Sequence, residues 1–128
     1  MRSRITIVCI MLLPVSGCGV FDVRQQADAA VEAWRLRTGE TDPCRIDAMQ
    51  HCVAASATAA SCGHDCALLL GLLLELQQED GDPMDLNNNA AGAGCAAAIG
   101  DEPGDAVDCC EALLNADPPM LQLDGRCE

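Results

Sequence analysis

Two short stretches of the chain carry side chains that could perform acid–base or ligand-binding chemistry. In IDAMQHC, Asp47 and His51 are four residues apart, a spacing that places both side chains on one face of a helix. The carboxylate would then hold the imidazole and raise its basicity. In PMDLNNNAAG, Asp85, Asn88 and Asn89 cluster where a helix is predicted to begin. These five residues are the candidate polar site. The alternative is that Asp47 and His51 form a surface pair and that the second cluster caps its helix.

If both stretches belong to one site, the His51 ring should lie within hydrogen-bond or one-water reach of segment 85–89. Such a site would bind a polar ligand. The alternative is a weak or degenerate hydrolase of lipid or peptidoglycan, with His51 as the base and Asp47 orienting it. The chain has no serine or threonine in a nucleophile elbow, which favours the non-catalytic interpretation.

The stretch SCGHDC has the residue types of a metal site, a redox site or a disulfide. A zinc site would use Cys62, His64 and Cys66 and would need the His51-Cys52 doublet as its second ligand pair, an unusual spacing. Thioredoxin-like chemistry needs two residues between the cysteines, whereas Cys62 and Cys66 have three. A disulfide is therefore favoured, and no metal or other cofactor is predicted.

The compartment follows from residues 1–17, which have the pattern of an export signal. Arg2 and Arg4 precede a nine-residue apolar run, Ile5 to Leu13, and small residues follow Pro14. The run is too short to span a bilayer as a helix. This arrangement is typical of a cleaved secretory signal peptide.

The sequence V-S-G-C that ends at Cys18 resembles the lipobox of bacterial lipoproteins. The resemblance implies cleavage between Gly17 and Cys18, a diacylglycerol on the Cys18 thiol and acylation of the new amino group. Several acyl chains would hold the protein on a membrane far more firmly than a single chain does. Gly19 stands where an aspartate would favour retention in the inner membrane, so the outer membrane is the expected location.

The composition of residues 18–128 limits the partners of the protein. Loss of Arg2 and Arg4 would change the net charge from −13 to −15, and the chain contains no lysine. So acidic a surface repels nucleic acid and anionic headgroups. We therefore expect contact with the membrane only through lipid, no nucleic-acid binding, and a protein or small molecule as partner.

The cysteines beyond Cys18 are even in number, which in an exported, aromatic-poor domain is typical of disulfides. Adjacent Cys109 and Cys110 point in different directions on a helix and should bond to different elements. The pairing itself cannot be read, since eight cysteines allow roughly a hundred arrangements. The disulfide candidates are Cys44, Cys52, Cys62, Cys66, Cys95, Cys109, Cys110 and Cys127.

The hydrophobic spacing predicts an all-α protein, a small disulfide-stapled bundle of four to five helices. Residues 18–40 form the lipidated N-terminus and a first helix ending at Gly39, and residues 41–128 form the disulfide-rich domain. Asp42 is predicted to cap the second helix, with Pro43 at its first position. The apolar run CALLLGLLLEL is predicted to be central and buried, Asp85 to cap the next helix, and Cys127 to anchor an irregular tail.

Residues 44–92 resemble a bacterial domain family of unassigned function, which pairs a D-A-x-R-H helix with a later M-D-L-x-N-N-x-x-G segment. The matching residues are Asp47, Ala48, His51, Met84, Asp85, Leu86, Asn88, Asn89 and Gly92. The sequence departs from the family at Gln50, where arginine is expected, and at Gln77-Gln78, where a His-Glu pair is expected. These departures favour a non-catalytic binding or assembly module of the cell envelope.

Overall fold

A computed structural model describes residues 19–77, 82–99 and 103–123 together with Cys127. The described residues form five helices and no strand, and cysteine pairs cross-link them, so the predicted disulfide-stapled all-α bundle is confirmed. The helices are α1 (Gly19–Thr38), α2 (Pro43–Cys62), α3 (His64–Leu76), α4 (Pro83–Ile99) and α5 (Pro103–Leu114). None of these helices combines the length and the apolar character that crossing a membrane would require. The predicted signal peptide and Cys18 lie outside the described residues.

The boundaries of α1 and α2 follow from local sequence signals. Gly39 has φ 73° and donates its N–H to the Arg35 carbonyl at 2.9 Å, closing α1. A positive φ is one that glycine adopts without steric cost. The Asp42 carboxylate accepts the Cys44 N–H at 2.9 Å, and Pro43 follows it at the first helical position. These predicted helix ends are confirmed.

The N-cap of α4 was predicted at Asp85, but the structure places it three residues earlier, at Asp82. Asp82, not Asp85, is the residue that satisfies the first N–H groups, since its Oδ1 accepts from Met84 N at 3.0 Å. Pro83 then occupies the first helical position. Asp85 therefore lies inside the first turn of α4, and its side chain is directed elsewhere.

Helix α2 is the centre of the bundle and contacts all four other described helices. Its inward stripe contains Met49, Cys52 and Val53, each fully buried. The core around this stripe combines medium-sized and small side chains with one aromatic ring. Its remaining members are Ala27, Val31, Trp34, Ala48, Cys95, Ala106, Val107, Cys110, Leu114 and Leu121.

The expectation that the leucine-rich helix is central and buried is also wrong. Helix α3 packs against α2 and α4 on one side only, and the two residues that it buries are Ala67 and Glu75. Leu69 and Leu76 are 52% and 72% exposed. The facing surfaces are built from small residues such as Ala59 and Ala93, and they cover a narrow strip of α3.

Four disulfides connect the described cysteines. Cys52 of α2 bonds to Cys110 of α5, and Cys95 of α4 bonds to the adjacent Cys109. The two neighbouring cysteines thus reach two different helices, as predicted. Cys44–Cys127 ties the tail to the start of α2, so the predicted anchoring of the tail is confirmed.

The stretch SCGHDC is a disulfide-closed corner. Cys62 ends α2 and bonds to Cys66 in the first turn of α3. Between them, Gly63 has φ 92° and donates its N–H to Ala59 O at 2.7 Å. The corner is therefore structural, and the disulfide interpretation of this stretch is confirmed.

Candidate functional site

The polar residues of α2 and α4 meet where the middle of the first helix faces the start of the second. His51 Nε2 lies 3.2 Å from Asp85 Oδ1 and 3.8 Å from Asp47 Oδ1. The other ring nitrogen, Nδ1, lies 3.2 Å from Asn89 Oδ1, which belongs to a residue 38 positions away along the chain. We call Asp47, His51, Asp85 and Asn89 the polar cluster. It brings together four of the five residues that the sequence singled out.

A close crossing of α2 and α4 makes this meeting possible. At the crossing, Gly92 faces the Cys52 carbonyl oxygen, and a Cβ on residue 92 would overlap that oxygen. Only glycine permits two helix backbones to approach so closely at this point. His51 and Cys52 are adjacent on α2, so this contact also fixes the distance between the His51 ring and the first turn of α4.

Helix α3 contacts the side of Asn89 that faces away from His51. A Cβ on Gly71 would lie 3.0 Å from Asn89 Nδ2, so the glycine leaves the space that the amide occupies. With its nitrogen directed to α3, the Asn89 amide presents its oxygen to His51 Nδ1. The ring then donates from Nδ1, which leaves Nε2 to face the two carboxylates.

Asp85 is the most buried acid of the cluster, with 8% of its surface exposed. Its Oδ1 is buried and accepts no hydrogen bond: the contact with His51 Nε2 has ion-pair distance but not hydrogen-bond geometry. Burial raises the pKa of Asp85 to about 6, against a lowering effect of His51; the charges of Glu75, Asp47 and Asp82 raise it further. The ionised carboxylate is therefore in an unfavourable position unless a positive charge accompanies it.

Glu75 was missed by the sequence reasoning. It is the one acid of the run CALLLGLLLEL and is 5% exposed, and its Oε2 accepts from Asp82 N at 3.3 Å. A charged residue inside an apolar helix is a signal that it faces other polar groups. Glu75 was visible in the sequence, but its leucine neighbours alone determined the prediction of a buried apolar helix.

Asn88 is placed away from the cluster. Its side chain is fully buried, donates from Nδ2 to the Gln122 carbonyl at 3.0 Å and accepts from the Gln122 N–H at 2.8 Å. This pair of bonds fastens the C-terminal tail to α4. Asn88 thus has a structural contact of its own, although the sequence grouped it with its neighbours.

A second group of potential metal ligands in the described part of the chain consists of cysteines. The sulfur atoms of Cys52, Cys95 and Cys110 lie within 4.8 Å of one another. Metal binding by cysteine requires the thiolate, and all three sulfurs are bonded in disulfides. The cysteine group is therefore excluded as a metal site, which leaves the polar cluster, whose ligand atoms are not held in covalent cross-links.

No family model, curated protein or solved structure matches this chain. The resemblances to lipoproteins and to the bacterial domain family stay predictions from the residues that carry them.

Proposed function

We propose that the protein is a lipid-anchored binding module of the bacterial cell envelope, whose polar cluster binds a positively charged ligand. The observation that carries the proposal is the buried Asp85 oxygen beside His51 Nε2. It accepts no hydrogen bond and lies among further acids. Such a group is expected to be completed by a cation or a proton.

The anchoring part of the proposal rests on the first eighteen residues. The basic start, the short apolar run and the lipobox-like V-S-G-C are consistent with export and acylation at Cys18. The paired cysteines of the described residues support this assignment, because disulfides persist in oxidising compartments outside the cytosol. We place the protein at the outer membrane, on the basis of Gly19.

The geometry weighs against the hydrolase alternative. A general base needs a ring nitrogen directed at the substrate. In the polar cluster, His51 Nδ1 faces Asn89 and Nε2 faces Asp85 and Asp47. A ring bounded on both sides by protein groups is better suited to holding a ligand than to removing its proton.

Histidine NMR tests the binding proposal, because the chain contains two histidines, His51 and His64. Full-length protein in detergent is titrated with cations (guanidinium, ethylammonium, Mg²⁺, Zn²⁺) and with acetate as an anion of similar size. We expect at least one cation to shift the His51 ring signals saturably and acetate to leave them unchanged. Asp85→Asn should abolish the response, because it removes the charge that attracts the cation.

The matched control is Asp105→Asn, since Asp105 also lies in the first turn of a helix but is exposed. This variant should respond as the wild type does. If no cation shifts His51, or if Asp85→Asn responds as well as the wild type, the binding proposal is wrong.

A further inference from the structure

We propose that the ligand of the polar cluster is a divalent metal ion, coordinated by Asp47, His51 Nε2 and Asp85. This inference rests on the proposed function and names the class of cation. It departs from the sequence-based expectation that the protein binds no metal.

The ligand atoms of Asp47, His51 and Asp85 lie close enough together to bind one ion. One oxygen of Asp47, one of Asp85 and a ring nitrogen of His51 all lie within 4.8 Å of one another. With metal–ligand bonds of about 2.1 Å, neighbouring ligand atoms of one ion lie about 3–3.5 Å apart. The observed separations from Nε2, 3.2 Å to Asp85 and 3.8 Å to Asp47, need little or no adjustment to meet this requirement.

The relative directions of the ligand atoms also fit a bound metal ion. Ligands of one ion point at the ion and not at each other, so their mutual contacts have poor hydrogen-bond geometry. This is what is found between His51 Nε2 and Asp85 Oδ1, a contact close enough for an ion pair but without a hydrogen bond to the buried oxygen. A buried carboxylate oxygen that accepts no hydrogen bond, on a residue 8% exposed, indicates that a ligand completes the site.

The hydrogen bond on the far side of the His51 ring is also typical of a metal-bound histidine. A histidine that binds metal through one nitrogen almost always donates the other N–H to a carbonyl or carboxylate oxygen, which fixes the tautomer. Asn89 Oδ1 is positioned for this role, 3.2 Å from His51 Nδ1. Gly71 leaves the space that the Asn89 amide needs, so three helices contribute to the arrangement of one imidazole.

The charge of the polar cluster and its exposure to solvent also suit a divalent metal ion. The side chains of Asp47, Asp85 and His51 are 13%, 11% and 26% exposed, so water can complete the coordination shell on the open side. Two carboxylates neutralise a divalent ion, and the buried Glu75 adds negative charge nearby. One imidazole with two carboxylates suits Zn²⁺ or Mn²⁺ better than Ca²⁺, which prefers six or more oxygen ligands.

Solution binding of Mn²⁺ and Zn²⁺ tests the inference on chelator-treated full-length protein in detergent. Mn²⁺ is paramagnetic, so at substoichiometric amounts it should broaden the His51 ring signals and spare those of His64. Zn²⁺ should bind with one-to-one stoichiometry by calorimetry. Asp85→Asn and His51→Ala should each weaken binding at least tenfold, because each removes a ligand, and Asp105→Asn should leave the affinity unchanged.

Each outcome distinguishes the two proposals. If guanidinium or ethylammonium shifts His51 but neither metal ion binds there, the metal inference is wrong and the binding function stands. If Mn²⁺ broadens both histidines equally, or Asp85→Asn binds as tightly as the wild type, the ion is attracted only by the acidic surface and the metal inference is wrong. If no cation binds at His51, both proposals are wrong. Retention of four disulfides and of the helical circular dichroism shows that each variant is folded.

Discussion

At the scale of single residues, Asp85 combines burial with surrounding charge of its own sign. The charged groups that shift its pKa are Asp47 and His51 from α2, Glu75 from α3 and Asp82 at the start of α4. Three of these four are acids. Burial is the main cause of the raised pKa of Asp85, and the three acids raise it further. The same negative charge is expected to attract a cation.

The titration of Asp85 predicts how stability depends on pH without a bound cation. Its pKa in the folded protein, about 6, is above the ordinary value of 3.8, so the folded state binds the proton more tightly than the unfolded chain. The stabilising contribution is fully present below pH 4 and is lost as the pH rises through about 6. Asp85→Asn removes this loss, because the amide stays neutral.

Thermal unfolding in chelator-containing buffer, from pH 4 to pH 8, measures this effect. The Tm of Asp85→Asn minus that of the wild type should increase between about pH 4 and pH 6, and it should stay positive and nearly constant above that range. The same difference for Asp105→Asn should change little. A variant that becomes less stable than the wild type at pH 8 would show that the Asp85 carboxylate is satisfied within the protein.

At the scale of the helices, the crossing of α2 and α4 depends on Gly92. Gly92→Ala should destabilise the protein by about 2 kcal/mol or more, because the added methyl group overlaps the Cys52 carbonyl and the helices must separate. Gly94→Ala on the same helix meets open space and should stabilise the protein by about 0.5–1 kcal/mol through helix propensity.

Urea unfolding under non-reducing conditions compares these two variants. The separation of the helices should also move His51 away from Asp85, so Gly92→Ala is expected to lose cation binding while Gly94→Ala retains it. Equal stability of the two variants would contradict the close crossing.

The sequence predicted those parts of the helices that local signals determine. Gly39, Asp42 and Pro43 mark helix ends through their own backbone preferences, and the spacing of Asp47 and His51 depends only on helical periodicity. The cap of α4 was misassigned, because Asp82 and Asp85 are both acids near a helix start and only the backbone conformation distinguishes them.

Other features depend on contacts between distant segments and could not be derived from the sequence alone. The exposure of α3 reflects how little surface its alanine-rich neighbours offer, which no pattern within CALLLGLLLEL reveals. The disulfide pairing was open for the same reason. Asn88 and Asn89 are adjacent on α4, yet one binds the tail and the other faces His51. The meeting of His51 with segment 85–89 was expected only as a condition of a shared site, because the spacing within either stretch does not determine it.

At the scale of the whole molecule, Asn88 connects the bundle to the C-terminal tail. Asn88→Ala should destabilise the protein by about 2–3 kcal/mol, because it leaves the Gln122 N–H and carbonyl without their partners at 2.8 and 3.0 Å. Leu121, which is 2% exposed, would lose its support. The neighbouring Asn87 is exposed and donates from Nδ2 to Asn88 Oδ1 at 3.3 Å. Asn87→Ala removes this long bond but leaves both bonds to Gln122, so it should change stability by only about 0.5 kcal/mol.

Hydrogen exchange at the Gln122 amide, read together with thermal unfolding, separates the two effects. Faster exchange in Asn88→Ala with the disulfide Cys44–Cys127 intact would show that the side chain and the covalent link restrain the tail independently. Unchanged exchange would mean that the disulfide alone holds it.

The envelope assignment predicts the fate of the intact chain in a bacterial cell. The wild-type protein should incorporate labelled palmitate and fractionate with the outer membrane. Cys18→Ser should stay unlabelled, because acylation requires the thiol. Cys9→Ser, which changes a cysteine inside the apolar run, is the matched control and should be labelled normally. A wild-type protein that is unlabelled and fully soluble would contradict the anchoring proposal.

If Asp47, His51 and Asp85 form one cation site, anomalous X-ray scattering should locate the ion between them. Crystals of the protein grown with Mn²⁺ are measured at a wavelength where manganese scatters anomalously. We expect a single strong peak bounded by His51 Nε2 and one oxygen each of Asp47 and Asp85, with Asn89 Oδ1 accepting from His51 Nδ1. A map with no peak there, while Mn²⁺ occupies other acidic positions, would contradict a shared cation site.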